Sequence, residues 1–225
     1  MRFFLFFKLF DYLCGVKLTS ERGREIRKEY SETKEKQVCD ERGLSQVGGS
    51  KTKIDGTNGI LNESIKNFTG NSTQVHLTTQ KKFIKVLGLD KNSINFIKMF
   101  CGDESLNFEG RDRYFIPEIE KKYVNVFLNF LNNNKNKIID LIVRNGYDVT
   151  SIVYRNLKTN EILSISYDEI IIKINECKWV AKKGGIHLKN EDGKTYFHLQ
   201  REGKRNKNNR YNVLFHIHSN LFITN

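Results

Sequence analysis

Apolar residues along this chain switch between two spacings. Ile119, Tyr123, Val126, Phe127, Phe130 and Leu131 recur every three or four residues, the stripe of an amphipathic helix. Pro117 suits the first turn of that helix, and the Asn- and Lys-rich run after Leu131 ends it. Similar spacing predicts short helices over 78–87, 93–100, 137–144 and 167–177, with Gly88, Gly102 and Gly146 as stops for the first three.

Strand signals fill the intervals. Residues 151–155 and 162–166 read as a hairpin around Lys158-Thr159-Asn160. Residues 185–188 and 195–200 read as paired strands across Asn190-Glu191-Asp192-Gly193, and 212–218 as a final alternating strand. Residues 51–55 look extended, Gly56-Thr57-Asn58-Gly59 is a turn signal, and 60–68 reads as the returning strand. Polar loops are expected at 45–50 and 69–72. The mixed order predicts an α/β (α+β) fold, with one central mixed sheet flanked by helices over 46–225 and a charged, helical segment over 1–45.

Charge narrows the class of partner. The formal net charge is +12, and the stretch from Lys178 to Arg210 alone carries ten Lys or Arg against three Asp or Glu. Such a surface attracts a polyanion: nucleic acid, an acidic membrane face or an acidic protein. Cys14, Cys39, Cys101 and Cys177 form no CxxC pair, which excludes the usual zinc patterns, and they read as reduced thiols in a cytoplasmic protein. The apolar run over 1–16 is interrupted by Lys8 and Asp11 and is too short to span a bilayer. It reads as an amphipathic helix packed on the domain, with a signal peptide or a spurious upstream start as alternatives.

One local pattern carries chemistry. Asp55 is followed nine residues on by Ser64-Ile65-Lys66. On a strand, positions i and i+2 share a face, so Ser64 and Lys66 project together across a hairpin from Asp55. Metal-dependent phosphodiester cleavage needs such a set. A carboxylate holds Mg²⁺ against the scissile phosphate, a backbone carbonyl such as that of Ile65 completes the metal shell, and a Lys positions the attacking water. Taken alone the pattern also fits an ordinary surface hairpin, because Lys is abundant in this chain.

Read with the rest of the chain, the pattern resembles the small type II restriction endonucleases that cut four-base sites, of the HinP and MspI kind within the PD-(D/E)XK superfamily. The resemblance covers roughly 51–222. It rests on Asp55 and Ser64-Ile65-Lys66, a basic segment over 74–100, an apolar helix block over 114–131, Gly184-Gly185-Ile186, Leu199-Gln200-Arg201, a basic loop over 204–210, and Val213-Leu214-Phe215-His216-Ile217. It implies an endonuclease with Asp55, Ser64 and Lys66 as catalytic residues and Mg²⁺ held by Asp55 and the Ile65 carbonyl. Ser64 departs from the superfamily, which carries Glu or Asp there, although the nearest members carry Gln or Asn. Glu63 falls on the opposite strand face. Glu25 or Glu29 is a candidate outer ligand, against plain solvated charge.

The resemblance further implies double-stranded DNA as partner. Ser72, Thr73, Gln74, Lys81 and Lys82 suit phosphate contacts, which position DNA without reading it. Gln200, Arg201, Lys204, Arg205, Asn209 and Arg210 suit base edges in the major groove, against a solvated turn. His198, His216 and His218 come together if the last strands pair, as core or backbone contacts rather than as a ligand set. The expected activity is sequence-specific, Mg²⁺-dependent cleavage of duplex DNA leaving 5′-phosphates. The expected protein is a monomer or homodimer without membrane attachment, and a DNA methyltransferase is its genetic partner. A non-catalytic or degenerate DNA-binding protein and a structure-specific repair nuclease are the alternatives.

Overall fold

The computed structural model describes residues 25, 30–47, 52–103, 113–201 and 211–223. The chain divides into two compact units, Met1–Gln46 and Val47–Asn225. In the first, a π-helical turn (Tyr30–Glu35) runs into helix α1 (Lys36–Glu41), followed by the two-residue strand β1 (Ser45–Gln46). Val38, Cys39 and Leu44 are buried. The Lys36–Asp40 ion pair at 2.7 Å lies on the exposed face, where such pairs contribute little. Glu25 is exposed in this unit, and Glu29 lies outside the described residues.

The second unit is α/β, with its strands divided between two sheets flanked by helices. In the first sheet β2 (Gly56–Thr57), β3 (Asn62–Phe68), β5 (Ser151–Asn156) and β6 (Ile162–Ser166) lie side by side in that order. The β3–β5 pair is parallel, Ser64 facing Ile152 and Lys66 facing Tyr154, and the other two pairs are antiparallel. The second sheet is antiparallel throughout. Its order is β4 (Ser72–Thr79), β10 (Asn212–His218), β9 (Thr195–Arg201), β8 (Gly185–Lys189), β7 (Lys178–Lys182).

This division replaces the single central sheet expected from the sequence. The reason lies at 72–79, where a polar loop and the start of a helix are predicted. The segment is strand β4, hydrogen-bonded along its length to β10, with a bulge between Phe215 and His216. Thr79 stops it, because its hydroxyl accepts from the Lys82 N–H and caps helix α2 (Gln80–Leu87). The polar side chains of Ser72, Thr73 and Gln74 hide a pairing that only the distant partner strand supplies.

Helices α3 (Lys91–Cys101), α4 (Lys121–Asn133), α5 (Lys135–Val143) and α6 (Tyr167–Asn175) follow the predicted apolar spacing. Gly88 ends α2 in the left-handed region, at φ 65°. Asp90 caps α3 through the N–H groups of Asn92 and Ser93, and Ser166 and Glu169 form a reciprocal capping box on α6. Phe83, Phe96, Phe100, Phe127, Trp179, Phe197 and Phe215 are fully buried and join α2, α3 and α4 to the second sheet. Rings of Phe96 and Phe127 stack at 4.7 Å, and Trp179 meets Phe215 edge-on at 6.3 Å.

Edge strand β7 is covered by a side chain. The Asn132 amide accepts from the Trp179 N–H at 2.8 Å and donates to the Trp179 carbonyl at 3.2 Å, supplying both partners that another strand would. Cys39, Cys101 and Cys177 are buried and form no disulfide among the described residues, and burial pushes the Cys101 and Cys177 thiols up to about 12 and about 11. Cys14 lies outside the described residues. Among the described residues, no helix is long and apolar enough to cross a membrane.

Candidate active site and nucleic-acid face

The hairpin from β2 to β3 sets the site. Asn58 closes the turn: its side-chain oxygen accepts from the N–H groups of Ile60 at 3.1 Å and Leu61 at 2.8 Å. Gly59 takes φ 87°, where a side chain would be strained. Below the turn, the Asp55 N–H donates to the Glu63 carbonyl at 2.8 Å, which aligns Asp55 with Ser64-Ile65-Lys66.

Three donors then converge on one carboxylate oxygen. Asp55 Oδ2 accepts from the Ile65 N–H at 2.7 Å, from Ser64 Oγ at 3.3 Å and from Lys66 Nζ at 3.3 Å. The Lys66 ammonium also donates to the Ile65 carbonyl at 3.0 Å. The predicted quartet Asp55, Ser64, Ile65 and Lys66 is therefore together. Side-chain exposures of 17% for Lys66 and 21% for Asp55 leave both reachable from solvent.

The Lys66 ammonium bridges a carboxylate oxygen and a backbone carbonyl oxygen, the two ligands that the sequence assigns to a metal. Both are hard oxygens of the kind Mg²⁺ takes, and Mg²⁺ keeps several waters, so two protein oxygens suit it. Among the described residues, no group of three or more His, Cys, Asp and Glu side chains is placed to hold a metal.

Lys53 belongs to this site and is not singled out by the sequence reading. It lies two residues before Asp55, in the segment that leads into β2. Its ammonium donates to the carbonyls of Val75 in β4 and Ile142 in α5, which ties the hairpin to the second sheet. Burial, reinforced by the nearby Lys66 charge and opposed by Asp55, lowers the Lys53 amine from 10.5 to about 7. His76 of β4 is also buried, and burial together with Lys53 and Lys82 brings its ring down to about 3.

The predicted DNA contacts fall in two places. Gln74 lies opposite His216 and Ser72 opposite His218 on the β4–β10 pair, with Thr73 between them. Lys81 and Lys82 are exposed in the first turn of α2. Gln200 sits on the same face of β9 as His198, opposite Gly185 and Leu214 on the neighbouring strands. Arg201, the next residue, turns the other way: it donates to the Tyr114 carbonyl at 3.1 Å and lies over the Phe115 ring at 4.3 Å. Lys204, Arg205, Asn209 and Arg210 lie outside the described residues.

The histidines do come together as the strands pair, and with a fourth, His187, which the sequence reading does not include. His187 stacks on His198 at 5.2 Å, and His198 meets His216 at 4.7 Å and His218 at 4.9 Å.

The sequence matches no protein-family model and no curated protein. Among solved structures, the chain is similar to the restriction endonuclease MspI in complex with its cognate DNA, at 11% identity and a TM-score of 0.47, over 77% of this chain and 69% of that one.

Proposed function

We propose that this protein is a Mg²⁺-dependent endonuclease of type II restriction character, which cleaves both strands of a specific duplex DNA site and leaves 5′-phosphates. The observation that carries the reading is the convergence of Lys66 and Asp55, on adjoining segments of one hairpin, at 3.3 Å and within reach of solvent. The net charge of +12 favours a polyanionic substrate.

Asp55 and the Ile65 carbonyl are the groups to hold the metal, and Ser64 and the Ile65 N–H fix the carboxylate that does so. A divalent ion bound there neutralises phosphate charge and acidifies a water. Lys66, beside Asp55 and the Ile65 carbonyl, would orient the attacking water and offset charge on the phosphate as it becomes pentavalent. Lys53 adds a second amine close to the site, fixed by two backbone carbonyls. Ser72, Thr73, Gln74, Lys81 and Lys82 are assigned to phosphates, and Gln200 and the basic segment after it to base edges. A DNA methyltransferase of matching specificity is the genetic partner this activity requires.

Incubation of the purified chain with plasmid and Mg²⁺ tests the reading. Discrete fragments with 5′-phosphate ends at one repeated sequence are expected. Retarded but uncut DNA would mark a binding protein without catalysis, and cutting only at junctions or flaps would mark a repair nuclease.

A further inference from the structure

On the β8–β9–β10 face, Gln200 is held by histidines at both ends of its amide. Its Oε1 lies 3.2 Å from His198 Nε2, and its Nε2 lies 3.1 Å from His216 Nε2. His198 Nδ1 in turn lies 2.7 Å from His218 Nε2. Each link needs one donor and one acceptor, and a neutral imidazole supplies one of each. With the amide in this orientation, the proton sits on Nε2 of His198 and on Nε2 of His218, while His216 carries its proton on Nδ1 and accepts through Nε2. The three rings and the amide form one directed chain.

We propose that His198 and His216 are specificity-positioning residues, which fix the order in which Gln200 presents its donor and acceptor to a base edge. The inference rests on the reading of Gln200 as a base contact. After the two histidine links, the amide still has one hydrogen and one lone pair to offer. That is the pair a glutamine uses for bidentate contact with the N6 and N7 positions of adenine. Turning the amide over exchanges donor for acceptor and presents the wrong order to the same base.

The neighbourhood leaves room for this role. Gly185 lies opposite Gln200 on β8 and carries no side chain towards the amide; a Cβ there would sit 2.7 Å from the Leu199 carbonyl oxygen. His216 is the weak point of the chain. Its Nδ1 is buried and has no hydrogen-bond partner among the described residues, so the tautomer that the amide demands leaves that N–H unsatisfied. A proton on His216 Nε2 would force the amide to turn over. Both ring nitrogens of His198 have a partner, Nε2 in Gln200 and Nδ1 in His218. His187 stacks on His198 and faces Lys182 and Lys189, so added positive charge on this stripe is opposed from β7 and β8.

Two measurements test the inference on the full chain. Ring ¹⁵N shifts of the free wild-type protein at neutral pH are expected to show His198 and His218 protonated at Nε2 and His216 at Nδ1. Tautomers averaging freely in His198 and His216 would overturn it. Separately, a randomised duplex library is selected by gel retardation, so that loss of cleavage does not blunt the readout. Gln200→Ala and His216→Phe are expected to relax the same base position, by roughly tenfold. His216→Gln, whose carbonyl can accept from the amide, is expected to restore preference. If Gln200→Ala relaxes a position and His216→Phe does not, the positioning role falls and the base contact survives. If Gln200→Ala relaxes none, both fall, whatever the cleavage assay shows.

Discussion

Asp55 and Glu63 share a backbone hydrogen bond of 2.8 Å, yet their carboxylates go to different places. Asp55 receives Lys66, Ser64 and the Ile65 N–H at a solvent-reachable edge. Glu63 is 1% exposed and accepts from the Ser151 hydroxyl of β5 at 3.0 Å. The residue before Ser64 is therefore acidic without serving the site, because alternation along β3 sends it to the other face.

That separation sets the first test. Asp55→Asn is expected to abolish cleavage while leaving gel-shift affinity within a few-fold. Glu63→Gln is expected to keep measurable cleavage and lower the denaturation midpoint. Loss of cleavage in Glu63→Gln at full stability would transfer the catalytic carboxylate to Glu63.

Lys66→Met is expected to lower the cleavage rate by about 10²–10⁴-fold, the range for a group that handles a proton or orients the nucleophile. Removing the ammonium also unloads the two oxygens it bridges, so divalent-ion affinity should not fall. Calorimetric titration with Mg²⁺ checks this, and a variant that cuts at the wild-type rate would exclude Lys66 from the chemistry.

Acid should unfold this protein through its histidines. All five have rings held below the ordinary value of 6.5, chiefly by burial: His187, His216 and His218 at about 4, His76 at about 3, and His198 lowered as well. Between about 4 and 6.5 the unfolded chain binds more protons than the folded one, so stability falls as pH falls through that window. Urea midpoints at stepped pH should decline from 6.5 to 4. A His187→Asn/His216→Asn double variant should decline less over the same window, and a parallel course would contradict this account.

Lys53 predicts the opposite end of the scale. Its amine is neutral in the folded state above about 7 but charged in the unfolded chain up to about 10.5. The unfolded state therefore binds more protons in that interval, and stability contributed by this group rises with pH across it. Lys53→Met should flatten the rise, as read from urea midpoints at pH 7 and pH 9.5.

The Asn132 amide at the edge of β7 offers a purely structural test. Asn132→Ala removes both partners of the Trp179 backbone and should cost about 1–3 kcal/mol of stability. Equilibrium denaturation would show it, with Trp179 fluorescence as the reporter.

Local pattern settled a good part of this protein. Apolar spacing marked helices α2 to α6, and the pairings 151–155 with 162–166 and 185–188 with 195–200 followed from nearby turn residues. The Asp55 to Lys66 set was legible because a short hairpin joins its members, so i, i+2 alternation and one turn are enough to bring them together. What needed the folded chain were the contacts between distant segments. Strand β4 exists because β10, more than 130 residues away, pairs with it. Lys53 reaches the site through carbonyls of Val75 and Ile142. Arg201 and Gln200, adjacent in sequence, part company because one finds Tyr114 and Phe115 while the other finds His198 and His216. Spacing fixes which face a side chain takes, but the partner waiting on that face is chosen by packing between segments that the sequence keeps far apart.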